Sequence, residues 1–514
     1  MGTRLAAVIW LTWWAATSSA AERRPEAAAE PGRPGSPAAA QGPAGTRLHY
    51  IHPRHPVGDV HPYYEDGTYY LIYVFDPGTW RVGQLQSTDL LHWEERAISH
   101  TPAPVIPQVL PHYFVLQIIP DALQGGYRTF YPYHGMRTSC SRDLVNWQTA
   151  DPQLAVPAQG GYSRMADPFP FWNADRQEYW MVVTLRREGL PLERAGAFGY
   201  ATSPDLARWT WRGELYAPHD MAEPEVPSLF PMGGHWYLLA FPNDGRTLGQ
   251  PTYRLSRDSS GPWTVPVPDR LDGKHFCAGR TADDGRRRLL FGWIPLRIQP
   301  SGAQHWGGHL ALPRELYSLP DGRLAVRLEP SVAQRIRGEV WFPRGRARLQ
   351  PAAGDWQLTP AQAAARHAGQ RGVLRLEPAP GRIDLEVELT LGADCERAGL
   401  VLGRLPHAAG YEVVVERSAR RLAVTNRDGT VRVQQAMAEL PARQHRLRVV
   451  VEEDIVEAFL DDRYALAARM PETLDGASVE LVACGAAGFE NISLYRLRAL
   501  QEIDKPAGKS GRGD

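Results

Sequence analysis

Lysine is nearly missing from this chain: it occurs only at positions 274, 505 and 509, so arginine carries almost all of the positive charge. The 57 basic residues are matched by 57 acidic ones. A chain with no net field has no electrostatic hold on nucleic acid or on an anionic membrane, and neither is expected as a partner. Cysteine is also scarce. Cys140, Cys277, Cys395 and Cys484 lack metal-ligand spacing and lie in or near strand patterns. They are read as buried free thiols, with Cys395 and Cys484 kept as a candidate disulfide. No cofactor motif and no metal constellation rises above chance, so neither a cofactor nor a metal is expected.

Long helical runs are absent, and so is an apolar stretch long enough to span a membrane with ease. The apolar run from Leu5 to Ala16 is short for that task. It follows Arg4 and precedes the small residues TSSAA, which together read as a signal peptide over 1–20 cleaved near Ala20. A secreted or periplasmic location is therefore expected, with no membrane attachment after cleavage. Residues 21–46 are rich in Ala, Pro and Gly and read as a flexible linker, and 501–514 read as a disordered tail.

What the chain does have is repetition. Ser87 to Trp93 reads STDLLHW, Ser141 to Trp147 reads SRDLVNW, Ser203 to Trp209 reads SPDLARW, and Ser256 to Trp263 gives the weaker echo SRDSSGPW. The serines are 54, 62 and 53 residues apart, with hairpin patterns between them. That period is the mark of radial β-repetition. Each Asp-Leu-x-x-Trp phrase reads as a turn whose Trp packs on its own blade. HFCAGRTADDGRRRLLFGWI, from His275 to Ile294, supplies a fifth unit. The fold class expected is all-β, with a five-bladed β-propeller over 47–330.

Beyond it the pattern changes to two-residue alternation. In Ile383–Leu391 the apolar Ile383, Leu385, Val387, Leu389 and Leu391 face one way and Asp384, Glu386, Glu388 and Thr390 the other. YEVVVER (411–417), RRLAVTN (420–426), HRLRVVV (445–451) and DIVEAFLDD (454–462) are further strands. One dry and one wet face repeated over many strands predicts a C-terminal β-sandwich over 335–500.

A second repeat carries acids. Asp59 (DVHPYYEDGTYYLIYV), Asp167 (DPFPFWNADRQEYWMVV) and Glu225 (EVPSLFPMGGHWYLLAF) each stand 10 to 12 residues before the next strand, marked by Tyr69, Tyr179 and Trp236. Innermost strands line a propeller's channel, so residues in one phase of the repeat converge there. Asp59, Asp167 and Glu225 fall in the first, third and fourth units. The plainer alternative is that each acid caps a backbone turn, which explains a single loop acid better than three in register. Acids among many aromatics in a neutral pocket suit a polyhydroxylated ligand, and two carboxyls across a scissile bond are the minimal apparatus of glycoside hydrolysis.

At this level of detail the chain resembles glycoside hydrolase family 32, the β-fructofuranosidases that include invertases, levanases and inulinases. GDVHP stands in the place of the family's NDPNG, STDLLHW of S-x-DL-x-HW, ADP of RDP, EVPSLF of ECPDLF, HFCAG of DFYA, FGWI of GWM and LALPREL of L-x-LPREL, all in the same order. The resemblance implies that Asp59 is the nucleophile, Asp167 the transition-state stabiliser and Glu225 the acid/base of a retaining glycosidase acting on an oligo- or polysaccharide. Glu223 is a rival for the last role, and the spacing from EVP to the LF pair favours Glu225. The departures are as clear as the matches. Gly58, Val60 and His61 replace Asn, Pro and Asn, Ala166 replaces the Arg of RDP, Ser228 replaces an Asp, and HYFVLQII (112–119) stands where an FSG phrase is expected. Polar contacts to hydroxyls set sugar specificity, so these changes bear on the substrate.

His61, Trp80, His134, Arg164 and Trp293 are the candidate substrate-binding residues. Trp172, Phe276 and Trp306 are further aromatics near the predicted rim, although propeller aromatics commonly pack between or within blades. Three functions follow: a secreted retaining glycosidase for β-fructosides or a related furanoside, an inverting arabinosidase or xylosidase of the related family 43 type, and a carbohydrate-binding propeller without catalysis. LPREL and the sandwich favour the first over the second.

Overall fold

The computed structural model describes residues 47–505 apart from 78–79, 102–113, 150–154, 244–248, 300–303, 360–361, 367–369, 404–409 and 439–443. The expected signal peptide, the linker and the part of the tail from 506 onward lie outside the described residues, as does the start of HYFVLQII.

Five antiparallel-based sheets follow one another from Gly58 to Leu328, with four, six, four, three and five strands. They form a five-bladed β-propeller. The innermost strands are Gly58–Glu65, Ile118–Pro120, Tyr162–Asn173, Glu223–Met232 and Cys277–Asp283, here numbered with their blades I to V. Among the described residues no strand is exchanged to close the ring. Blade V is built from a contiguous stretch, and the ring shuts where Val57 and Gly308 exchange backbone hydrogen bonds of 2.9 and 2.8 Å.

The repeated Ser-x-Asp-Leu phrase is a fixed turn. Ser87 Oγ accepts from the Leu90 amide at 2.9 Å, and Asp89 Oδ1 accepts from the amides of Leu91 and His92. Asp143 and Asp205 repeat this with Val145, Asn146, Ala207 and Arg208. The side chain thereby satisfies donors that a tight turn would otherwise strand. Leu90, Leu144 and Leu206 adopt positive φ of 67°, 61° and 60° at equivalent points.

The Trp of each phrase packs with residues of its own blade, as expected, and does more. It also reaches the preceding one. Trp93 of blade I meets Phe291 of blade V edge-on at 6.1 Å, and Trp209 of blade III meets Phe130 of blade II at 5.2 Å. Trp147 of blade II is fully buried in a cluster with Ile72 of blade I, and Trp263 borders the cluster holding Trp180 and Phe198 of blade III. A large ring buries more area in the wedge between blades than over a thin sheet of its own.

Two further sheets, of eight and seven strands, lie between Arg337 and Leu497 and pack face to face as a β-sandwich. Ile383–Leu391 forms a strand with those bounds, and its five apolar side chains point into the inner cluster. Each contributes about 1.5–3 kcal/mol by leaving water. A second cluster runs from blades I and V into the sandwich through Val450, Ile455, Phe459, Ala465 and Ala467, so the two parts share one apolar contact. Between them lies the short helix Pro330–Arg335, which Glu329 caps by accepting from the Val332 amide at 2.7 Å.

All four cysteines are free, so the candidate Cys395–Cys484 disulfide is not formed. Cys395 Sγ instead contacts the Arg397 carbonyl at 3.5 Å, and Cys140 and Cys484 are only partly buried. The chain stays in contact past residue 501: Ile503 is buried and Lys505 pairs with Glu94 at 2.7 Å. No helix among the described residues is long and apolar enough to cross a membrane.

Candidate active site

The inner strands of blades I, III, IV and V all break register, that of blade III also between Tyr162 and Arg164. The break falls between Gly58 and Val60, between Ala166 and Phe169, between Glu225 and Ser228, and between Cys277 and Arg280. A bulge inserts residues that the neighbouring strand does not pair, and it re-aims the side chain beside it. Three of these bulges carry Asp59, Asp167 and Glu225. Asp167, Val226 and Ala278 have φ of 50°, 47° and 49°, a left-handed conformation that is costly for a β-branched residue such as Val226. The strain has a use, because the Val226 amide donates to Asp167 Oδ2 at 3.3 Å.

The three acids meet in the channel, each in a different setting. Trp293 Nε1 donates to Asp59 Oδ1 at 3.2 Å. Burial, and then the charge of Asp167, push the Asp59 carboxyl up to about 6. Asp167 Oδ2 also lies 3.2 Å from Thr184 Oγ1. Glu225 accepts from Asn243 Nδ2 at 3.1 Å on one oxygen and from Arg164 Nη1 at 3.2 Å on the other. Burial is the main force that drives Glu225 up to about 8. Arg164 opposes the shift, while Glu223, Asp167 and Asp59 add to it.

Glu223 is not equivalent to Glu225. Its side chain is 2% exposed against 19% for Glu225, and it is held by Arg164 Nη1 at 2.6 Å and by Arg186 Nε at 2.6 Å. The channel-facing carboxyl is therefore Glu225, as the spacing in the sequence indicates.

Of the candidate binding residues, Trp293 and Arg164 touch the acids. His61 is buried, and burial together with the nearby Arg280 holds its imidazole well below the usual range, so it is neutral. Its Nδ1 has no hydrogen-bond partner. Trp80 reaches the site indirectly. Its ring meets Trp306 edge-on at 5.2 Å, and Trp306 lies 5.9 Å from Trp293. The second strand of each blade runs antiparallel to the first, so the turn after it lies on the same face as the start of the first strand. Trp80, Tyr133 and Trp306 lie in or beside such turns and share one apolar cluster around the mouth. His134 is on the same face at φ 54°, exposed and packed edge-on against Tyr133, with no bond to the acids. Phe276 is buried in the shared core and Trp172 is an exposed surface ring, so neither belongs to the site.

Arg280 escaped sequence reasoning. It rises from the blade V bulge, fully buried, and donates to the Asp167 carbonyl at 3.2 Å and to Gln117 Oε1 at 3.4 Å. Burial lowers its guanidinium to about 10 despite the pull of Asp167 and Asp59. An arginine inside an otherwise apolar strand, CAGRTA, is the signal that could have found it. Among the described residues no group of three or more His, Cys, Asp or Glu side chains is placed to hold a metal.

The family description "Glycosyl hydrolases family 32 N-terminal domain" matches residues 138–327. The extracellular exo-inulinase of Aspergillus niger is 26% identical, over 40% of this chain and 47% of that protein. The chain thus spans about half the length of the curated relatives it matches. Among solved structures, the Bombyx mori family 32 β-fructofuranosidase superposes with a TM-score of 0.65 at 17% identity, covering 89% of this chain and 95% of that one. Fructan 1-exohydrolase IIa of Cichorium intybus gives 0.67 at 14% identity, covering 89% and 98%. These likenesses agree with the fold of propeller and sandwich together.

Proposed function

We propose, for this divergent member of glycoside hydrolase family 32, retaining hydrolysis of β-fructosidic bonds at the channel mouth. The observation that carries the reading is the pairing of Asp59 and Glu225. Two carboxyls share one site, and their surroundings give them different proton affinities. That division of labour is what a retaining glycosidase needs.

Glu225 holds a proton at neutral pH and gives it to the glycosidic oxygen as that bond breaks. Asp59, ionised and oriented by the Trp293 indole, attacks the anomeric carbon and forms the glycosyl-enzyme ester. Glu225, now a carboxylate, takes a proton from water, whose oxygen attacks the same carbon and releases Asp59. Asp167 is fixed by Thr184 and the Val226 amide to hold hydroxyls of the sugar as positive charge grows on the ring. Arg280 keeps two neighbouring carboxylates compatible in one buried place.

Fructosides are the first choice of substrate because the relatives are described as exo-inulinases and fructofuranosidases. Export fits the same reading, since the curated inulinases are described as extracellular. The test is sugar release from sucrose, inulin, levan and aryl furanosides, with Asp59→Asn as control and the anomer of the first product followed by NMR. Release of the β-anomer, lost in the variant, supports the proposal. Inversion, activity on a pentoside alone, or no turnover on any glycoside overturns it.

A further inference from the structure

Ala166 leaves the site without an arginine where the resemblance places one, yet a cation stands against the acid/base all the same. Arg164 Nη1 pairs with Glu223 Oε1 at 2.6 Å by charge alone, without hydrogen-bond geometry, and donates to Glu225 Oε1 at 3.2 Å, so a single nitrogen stands between two carboxyls. Glu223 is anchored on its other oxygen by Arg186, whose Nε donates at 2.6 Å and whose Nη2 also pairs with it. Arg164 and Arg186 face each other across paired strands of blade III, and Glu223 reaches between them from blade IV.

We propose that Glu223 is a positioning residue: anchored by Arg186, it draws the Arg164 cation off Glu225, so that the acid/base keeps its proton. The inference rests on the catalytic role given to Glu225 above. An arginine bonded to a carboxyl holds it ionised and lowers its pKa by 1–3 units or about that, which would disable a proton donor. A second, buried carboxylate closer to the same nitrogen removes much of that effect and adds its own negative charge.

The other groups facing Glu225 act in the same sense or are neutral. Asp167 from blade III and Asp59 from blade I are acidic and favour the protonated form, and Asn243 from the neighbouring strand of blade IV donates to Oε2 at 3.1 Å. Arg164 is the one charged group among them that opposes protonation, and the Asn243 donor adds to it more weakly. Control of Arg164 is thus control of Glu225. Glu223 is 2% exposed and cannot reach substrate, so its influence passes through the arginine.

The test compares four variants by the descending limb of the kcat/KM profile on an aryl β-fructoside, and by NMR titration of the Glu225 carboxyl carbon, assigned with Glu225→Gln. Glu223→Gln leaves Arg164 to Glu225 alone, and the titration should move to lower pH by about one unit or more. Arg164→Gln should move it to higher pH. Arg186→Gln removes the anchor of Glu223, loosens its hold on Arg164, and should move it downward, by less than Glu223→Gln does. Glu223→Asp should restore part of the wild-type value. A purely structural role would not give shifts of opposite sign. Unchanged titration in Glu223→Gln, or shifts in one direction for Glu223→Gln, Arg164→Gln and Arg186→Gln alike, overturns the proposal. The NMR titration needs no turnover, so an inactive wild type would defeat the glycosidase reading while still deciding this one.

Discussion

The indole of Trp306 fills the space beside Gly58 so closely that a β-carbon on Gly58 would lie 2.2 Å from its Cη2 atom. The ring cannot swing away freely, because Trp80 and Trp293 flank it at 5.2 and 5.9 Å. An asparagine, which the resembled family pattern has at this position, does not fit beside this indole.

Gly58→Asn should accordingly destabilise the protein by about 1–3 kcal/mol, the usual effect of overpacking a filled site. It should also lower activity, since displacing Trp306 disturbs Trp293 and its bond to Asp59. In Gly58→Asn/Trp306→Ala the loss should be smaller than the sum of the two single effects. Thermal denaturation of the four proteins measures the coupling, and strict additivity would show that the indole is not what excludes the side chain.

Asp59→Asn should abolish turnover and at the same time raise stability at neutral pH. The folded-state pKa of Asp59 is raised from 3.8 to about 6. A raised carboxyl favours folding in its protonated form; that contribution is complete below the ordinary carboxylate range and is lost as pH rises through about 6. Above that, the buried carboxylate destabilises the fold, and removing it should yield about 1–3 kcal/mol. The gain should vanish toward pH 4, where both side chains are neutral. Equal melting temperatures for the two proteins at pH 7.5 would contradict the argument.

The pH profile of kcat/KM should be bell-shaped. In the proposed mechanism activity requires Asp59 ionised and Glu225 protonated, so it should rise as pH passes about 6 and fall as pH passes about 8. Because the two groups interact, the limbs report the pair rather than either residue alone. Activity that keeps rising well above pH 8 would remove Glu225 as the proton donor.

The sequence shows the acids and their phase, because a repeat of 53 to 62 residues keeps them at one end of the inner strands. It does not show the bulges that aim them. A bulge depends on pairing with the next strand, and nothing in EVP or DPF marks which residue is skipped. The partners of the acids were illegible for a similar reason. Arg280 comes from a strand more than 110 positions beyond Asp167, and Arg186 meets Glu223 across 37 positions. The Trp of each turn phrase was recognised but its second contact, with the preceding blade, was not, since a sequence period fixes spacing along the chain and not the neighbour across the ring. The candidate pairing of Cys395 with Cys484 failed likewise: strand patterns place both near the sandwich core but do not fix where the thiols point.

The LALPREL phrase, which carries much of the family resemblance, turns out to serve the contact between propeller and sandwich. Arg314 is fully buried, with Nε 2.9 Å from Asp272 Oδ2 and Nη1 3.4 Å from Glu457 Oε2 of the sandwich. Nη1 also donates to the Leu312 carbonyl at 2.7 Å, and the guanidinium lies over the Phe276 ring at 4.1 Å. Asp272 in turn accepts from the Ala467 amide of the sandwich at 2.7 Å, and Glu457 from the Leu312 amide at 3.1 Å. Arg314→Met keeps the volume but leaves two buried carboxyls without their cation, which should cost about 3–5 kcal/mol. Arg314→Lys should recover only part, because an ammonium cannot bridge both acids in the plane of a guanidinium. Urea unfolding of the three proteins measures the loss. A cost below about 1 kcal/mol for the methionine variant would mean that the apolar contact alone holds the two parts together.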